Sequence, residues 1–364
     1  MKSVLYLPST PLNILLSIAH AAAFQLSQKA HLVLIDQKQI EDNLYFQVLK
    51  SSGLFSEVAI LPGNAKGKDK LVERKQSFAN LQKWSSLWKP ELIMVGSDRR
   101  VEFQYLMNHL QGIGCQGGYL DDGLYSYAGK PAVWYKDTVN ALLKKLSYGF
   151  WWDEPATVGA SKWIDQAWLF QPDEVVEELK AKELHYLNLE FFQNTKFKKI
   201  SEMICGQGGL NHETLERLKD IELIVLIPHP NNIQKMEGYK DKLMVFLDSV
   251  TLEGLKVAVK YHPREQQDDS LGLNSCYGAL ILPKTLAFEF ILPFAKKQSL
   301  IVGDVGTALL TAQWLRPDLS VFAVLSEGDK FQSSFVDLYA RLGVQRVSDF
   351  TKLTAIIESG ELKK

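Results

Sequence analysis

The chain has 364 residues, of which 41 are lysine or arginine, 42 are aspartate or glutamate and 46% are hydrophobic. That length exceeds one comfortable core and suits two domains of ordinary size. A net charge of −1 supplies no global field to recruit nucleic acid, and Cys115, Cys205 and Cys276, odd in number and without CxxC spacing, exclude a cysteine zinc site or disulfide framework.

The opening residues, Met1 to Pro8, carry one lysine and a short apolar run broken by proline, which predicts a first strand and no signal peptide. Short apolar or β-rich runs follow at Val4–Leu7, His31–Ile35, Val58–Leu61, Leu92–Val95 and Gly118–Leu120. Helical patterns at Leu12–Gln25, Leu71–Trp88 and Phe103–Leu110 separate them. That alternation predicts a parallel sheet with crossover helices. Pro172 to Lys196 is charged and aromatic without clean periodicity, so the domain junction is placed there, with a first domain over 1–175.

A second α/β series runs over 176–345. It has a helix through Leu218, strands at Leu223–Ile227, Val257–Tyr261 and Ala279–Leu282, and a helix around Phe288–Phe294. Then come a strand at Leu300–Val302, a helix at Thr307–Leu315 and a strand at Val321–Val324. Residues 346–364 read as a terminal helix able to cross back to the first domain. The expected architecture is α/β, two Rossmann-like domains facing a central cleft, the GT-B arrangement. Ligands would sit outside the carboxyl ends of its strands. No stretch reaches the roughly 20 apolar residues of a membrane span, and the cysteine usage points to a reducing, cytoplasmic compartment.

Two strand ends carry the strongest chemical signal. Gly118 to Leu120 leads into Asp121-Asp122-Gly123, and Lys256 to Lys260 leads into Tyr261-His262-Pro263. Asp-Gly is a common turn dipeptide, so the first reads as a plain turn or as a carboxylate pair at a ligand-binding edge. Two like charges side by side hinder joint ionisation, which would leave one carboxylate suited to taking a proton. His262 stands two positions after Lys260, so both would face one side and form an anion site if the strand continues. His229, in Ile227-Pro228-His229-Pro230-Asn231, competes with His262 for a catalytic role or shapes a nucleotide pocket. Gly303 to Leu309 reads as strand, glycine turn and helix start, where Thr307 and backbone amides suit phosphate, or where Thr307 is a plain helix cap. It lacks the Gly-Lys-Ser/Thr ending of a P-loop. Glu289, within the apolar run Leu286–Leu292, suits the two hydroxyls of a ribose.

In this order the motifs resemble the bacterial sialyltransferases that use a CMP-activated sugar, of the capsule polysialyltransferase and lipooligosaccharide sialyltransferase types. Asp121, Asp122 and Gly123 match the first motif, Lys260, His262 and Pro263 the second, and Glu289 the ribose acid. Gly306-Thr307 stands where that family has two adjacent hydroxyl residues, and Ser9-Thr10-Pro11-Leu12-Asn13 is similar to its first strand-to-helix loop, which faces the donor sugar.

The resemblance implies inverting transfer of sialic acid, or a related nonulosonic acid, from a CMP-sugar to a cell-surface glycan such as capsule or lipooligosaccharide. It implies no nicotinamide and no metal. Asp121 would be the base, with Asp122 and Gly123 in support, and His262 would serve the leaving phosphate. Thr307 and the amides of Gly306 and Thr307 would hold that phosphate, while Lys260 and the Pro228 to Asn231 loop, with His229 and Asn231, border the cytidine. A transferase for CMP-Kdo or CDP-glycerol, or an inactive nucleotide-binding homologue, remains the alternative. Val133 to Lys136 and Ala141 to Trp152 are basic and aromatic. Core packing, peripheral contact with the inner membrane, or stacking of Trp151 and Trp152 on acceptor sugars would each use such a stretch.

Overall fold

A computed structural model describes residues 1–129, 134–326 and 329–359. Val133 lies outside the described residues, as do the side chains of Trp134, Tyr135 and Lys136 and the last five residues of the chain. The chain divides into two compact units, Met1–Ile204 and Cys205–Lys364. No helix among the described residues is long and apolar enough to cross a membrane.

The first unit is built on a parallel sheet of β1 (Lys2–Leu7), β2 (Gln28–Gln37), β3 (Glu57–Pro62), β4 (Leu92–Val95), β5 (Gln116–Leu120), β6 (Gln166–Leu169) and β7 (Glu183–Tyr186). Its order is β3-β2-β1-β4-β5-β6-β7, so the direction of winding reverses between β1 and β4. Loops after those two strands therefore flank the crevice where doubly wound sheets take ligands. Val4 of β1 lies between Ala30 of β2 and Leu92 of β4. All three are buried, as expected for a strand covered on both faces. Helix Pro11–Ala23 is buried along nearly its whole length, from Asn13 to Ala22. Thr10 caps it by accepting from the Asn13 amide at 3.2 Å, and Pro11 stands at its first turn, where a missing N–H costs nothing.

The expected junction at 175/176 falls too early. β6 and β7 pair in parallel, Gln166 with Glu183 through Leu169 with Tyr186, and so extend the first sheet. Each is four residues long, and β7 has no buried residue, so neither carries a strong apolar period.

The second unit holds β8 (Leu223–Leu226), β9 (Val257–Lys260), β10 (Leu280–Leu282), β11 (Leu300–Gly303), β12 (Ser320–Val324) and β13 (Gln345–Val347). They form a parallel sheet of order β10-β9-β8-β11-β12-β13, a second doubly wound fold with its reversal between β8 and β11. The last helix, Phe350–Glu358, belongs to this unit rather than crossing away from it. Phe350 and Leu353 enter its core, and the Phe350 ring stacks on Phe246 of helix Tyr239–Leu252 with centroids 5.2 Å apart. Such a ring pair adds about 1 kcal/mol beyond the area it buries.

Candidate active-site residues

In the first unit, β5 ends at Leu120 and the two carboxylates separate at once. Asp121 turns inward and is fully buried. One of its oxygens accepts from the Gly123 amide at 2.8 Å and the Ser126 hydroxyl at 2.8 Å. The other accepts from the Phe170 amide at 3.2 Å and, closely, from the Tyr127 hydroxyl. Gly123 makes this possible with φ of 85°, a left-handed conformation that starts helix Leu124–Ala128 and brings Ser126 and Tyr127 back over the carboxylate. A carboxylate has about four acceptor positions, so Asp121 is saturated by the protein. Burial raises its pKa and the four donors oppose that rise. Asp121 is thus built as the anchor of this turn, against the expectation that it receives a substrate proton.

Asp122, unlike Asp121, is only partly buried as a residue. Its Oδ1 accepts from Asn13 Nδ2 at 3.0 Å, and its amide donates to the Tyr119 hydroxyl at 3.1 Å. Burial pushes the carboxyl up to about 7. The Asn13 hydrogen bond and Arg100 oppose the rise, and the charges of Asp121 and Asp98 add to it. Asn13 is held tightly, because a Cβ on Gly96, in the loop after β4, would lie 1.9 Å from Asn13 Nδ2. Gly96 gave no signal in the sequence. Nor did Asp98, which is buried and ties down the amides of Gly159 at 2.9 Å and Ser161 at 2.7 Å.

Beside Asp122 lies a charged network that sequence reasoning also missed. Asp36 binds Arg74 at 2.6 Å and, closely, Arg100, while Arg74 also pairs with buried Glu102. A cavity of about 390 Å³ is lined by these groups together with Lys70, Arg99 and Lys144. Trp152, expected as core, membrane anchor or sugar platform, is core. It is 1% exposed, donates from Nε1 to Glu154 at 3.1 Å, and carries Lys144 Nζ 4.1 Å above its ring. Trp151 packs edge-on against Phe78 and Tyr105. Leu142, Leu146 and Phe150 of the same stretch are exposed.

In the second unit the structure brings two of the expected residues together. The His229 and His262 rings lie 4.7 Å apart between centroids, tilted by 59°. His229 Nδ1 accepts from the Asn231 amide at 3.0 Å, and His262 Nδ1 accepts from the Arg264 amide at 3.1 Å. Burial lowers the His262 pKa, with His229, Arg264 and Lys260 adding to the effect. Pro263 and Asn231 are exposed and shape these turns.

Lys260 does not share an open anion site with His262. It is 6% exposed, and Nζ donates to the carbonyls of Tyr261 at 3.2 Å and Lys284 at 2.9 Å. Burial lowers its pKa to about 8, opposed by Glu289. Strand β9 ends at Lys260, so the alternation that would have aligned it with His262 stops there. Glu289 is 8% exposed and accepts from the Thr311 hydroxyl at 3.3 Å; burial raises its pKa and Lys260 opposes that.

Thr307 opens helix Thr307–Leu315, as expected. The Gly306 amide, assigned to phosphate from the sequence, instead donates to the Tyr339 hydroxyl at 2.7 Å, which donates back to the Gly306 carbonyl at 3.0 Å. A cavity of about 630 Å³ opens at the carboxyl ends of β8, β11 and β12, lined by Leu226, Tyr239, Asp304, Ser326 and Asp349 among others. His229, His262, Glu289 and Thr307 do not line it. Asp304 there is pushed up to about 7 by burial, opposed by a hydrogen bond from Asn232.

No family description and no curated relative matches the sequence. Solved structures do match. An alpha/beta-galactoside alpha-2,3-sialyltransferase from Photobacterium phosphoreum is similar over 97% of this chain and 100% of its own, with a TM-score of 0.59 and 11% identity. A sialyltransferase from Photobacterium damsela is similar over 95% of this chain and 82% of its own, with a TM-score of 0.50 and 10% identity. A UDP-GlcNAc 2-epimerase from Methanocaldococcus jannaschii is similar over 98% of this chain and 92% of its own, with a TM-score of 0.57 and 13% identity. At these identities the likeness shows the fold. The chain is built of two Rossmann-like α/β units of the GT-B type, an architecture it shares with bacterial sialyltransferases and UDP-GlcNAc 2-epimerases.

Proposed function

We propose that the chain is an inverting glycosyltransferase that moves sialic acid, or a related nonulosonic acid, from a CMP-sugar to a cell-surface glycan such as capsule or lipooligosaccharide. One observation carries the reading: Asp122, at the end of β5, is held by Asn13 Nδ2 at 3.0 Å and has its pKa raised to about 7. A base with a pKa near the working pH is best matched to accepting a hydroxyl proton. Motif order in the sequence supports the donor class, and the sialyltransferases among the fold's neighbours agree with it.

In this mechanism Asp122 takes the proton of the acceptor hydroxyl as its oxygen attacks the anomeric carbon. The bond from that carbon to the phosphate oxygen breaks, and its electron pair stays with the departing CMP. His262 donates a hydrogen bond from Nε2 to that phosphate, and the start of helix Thr307–Leu315 faces it with partial positive charge. Glu289 holds the ribose, and Asp121 keeps Asp122 in place. Asn13 orients the base and borders the donor sugar. The acceptor is a glycan at the inner face of the membrane, met through the exposed apolar residues Leu142, Leu146 and Phe150.

The fold's likeness to a UDP-GlcNAc 2-epimerase favours a second reading, an epimerase acting on a UDP-sugar. Melting temperature with CMP, CDP and UDP separates the two, since a ligand that binds the folded state alone raises it. A selective shift with CMP supports the transferase. A selective shift with UDP favours the epimerase and with CDP a CDP-glycerol transferase, while no shift with any of the three contradicts both readings.

A further inference from the structure

We propose that His229 and His262 form one two-histidine clamp for the phosphate of the nucleotide, each donating its Nε2–H to a phosphate oxygen. The inference rests on the nucleotide-activated donor proposed above and adds a second ligand and a defined tautomer to that site.

The two histidines are constructed alike. Each follows a strand of the second sheet, and each begins a His-Pro turn, His229-Pro230-Asn231 after β8 and His262-Pro263-Arg264 after β9. β8 and β9 are neighbours in register, with Leu226 beside Lys260 and the Ile227 amide bonded to the Lys260 carbonyl at 2.9 Å. In both turns the ring Nδ1 accepts from the amide two residues on. A ring nitrogen that accepts carries no hydrogen, so the neutral imidazole holds its proton on Nε2. Neither Nε2 meets a protein acceptor among the described residues, and the rings remain partly exposed. The fixed charges that reach His262 are those of Arg264 and Lys260, both positive. Two outward donors set among cations and without a carboxylate partner suit an anion.

Strand order decides what His229 adds. β8 lies between β9 and β11, and neighbouring strands are about 4.8 Å apart. His229 is therefore one strand from the loop that opens helix Thr307–Leu315, whereas His262 is two. A phosphate held by that helix start and by His262 has His229 in the intervening position. The Tyr339 hydroxyl already takes the Gly306 amide, so a second imidazole replaces a donor the loop does not offer.

The test is imidazole NMR of the full chain with ¹⁵N-labelled histidine, titrated separately with CMP, inorganic phosphate and cytidine. Both rings should show the Nε2–H tautomer before any addition. CMP and phosphate should then shift both sets of resonances, and cytidine neither. His229→Asn keeps an oxygen to accept the Asn231 amide but lacks the outer donor. It should weaken CMP binding by about tenfold to a hundredfold, the usual loss for one hydrogen bond to a charged group. His229→Gln, which carries a donor near the Nε2 position, should recover most of that loss. The clamp is overturned if His262 alone responds, if cytidine moves the rings as CMP does, or if His229→Asn binds CMP normally. Clean phosphate binding by both rings in a chain that transfers no sugar would leave the clamp standing and remove the transferase reading.

Discussion

Asn13 Nδ2 donates to Asp122 Oδ1 at 3.0 Å, and this bond ties the first strand-to-helix loop to the end of β5 across 109 residues of sequence. Gly96 holds Asn13 from the other side, leaving no room for a Cβ. The bond favours the ionised carboxylate and so restrains a pKa that burial drives upward. Asn13→Ala should therefore raise the pKa of Asp122, the proposed base, above about 7, and the acid limb of the kcat/KM profile should move to higher pH. Gly96→Ala should do the same by displacing Asn13. Profiles that coincide with those of the parent chain would detach Asn13 from the proposed base.

The adjacent carboxylates should separate under substitution. Asp122→Asn is expected to lower turnover by about a hundredfold or more with CMP affinity nearly kept, the usual cost of losing a general base. Asp121→Asn places an amide NH₂ against two of the four donors now bound to the carboxylate. It should cost about 1–3 kcal/mol of stability per donor left unpaired. Calorimetry together with transfer assays distinguishes these effects. An inactive but fully stable Asp121→Asn beside a silent Asp122→Asn would return the base role to Asp121.

Much of this was legible in the chain, and the reasons differ by element. Strands such as Val4–Leu7 and Leu92–Val95 are buried on both faces, so their unbroken apolar runs announce them. β7 and β13 lie at sheet edges and show Glu183, Tyr186, Gln345 and Arg346 to solvent, which erases the pattern. Asp121-Asp122-Gly123 marks the right strand end. Which aspartate faces inward depends on Ser126, Tyr127 and Phe170, and no local rule says they converge on Asp121. Tyr339 reaches Gly306 from 33 positions away, a contact only tertiary packing creates.

Stability should fall in acid through His20. The ring is fully buried, with Nδ1 2.7 Å from the Tyr6 hydroxyl, and burial lowers its pKa from 6.5 to about 3. The unfolded chain therefore binds a proton below pH 6.5 that the folded chain refuses until about 3. His20 alone should thus remove up to about 1.4 kcal/mol per pH unit as pH falls through that window. His20→Gln should be less stable at pH 7 yet show a shallower decline toward pH 4 in denaturant titrations. A parallel decline in both proteins would mean that His20 is not the group responsible.

Tyr339→Phe removes the hydroxyl that occupies both the amide and the carbonyl of Gly306. A stability loss of about 1–3 kcal/mol should follow, the typical worth of two hydrogen bonds. CMP affinity should stay within about twofold, because the phosphate in this account draws on the two histidines and the start of the Thr307 helix. A tenfold gain in affinity on freeing the Gly306 amide would restore that amide as the phosphate ligand.

The most direct measurement is mass analysis of labelled glycan acceptors after incubation of the full chain with CMP-sialic acid, run beside Asp122→Asn. Acceptors should become heavier by one or more sialic acid residues, with CMP released in equal amount, and Asp122→Asn should give almost no product. Unchanged acceptors across a broad panel, with UDP rather than CMP stabilising the protein, would contradict the proposed transfer.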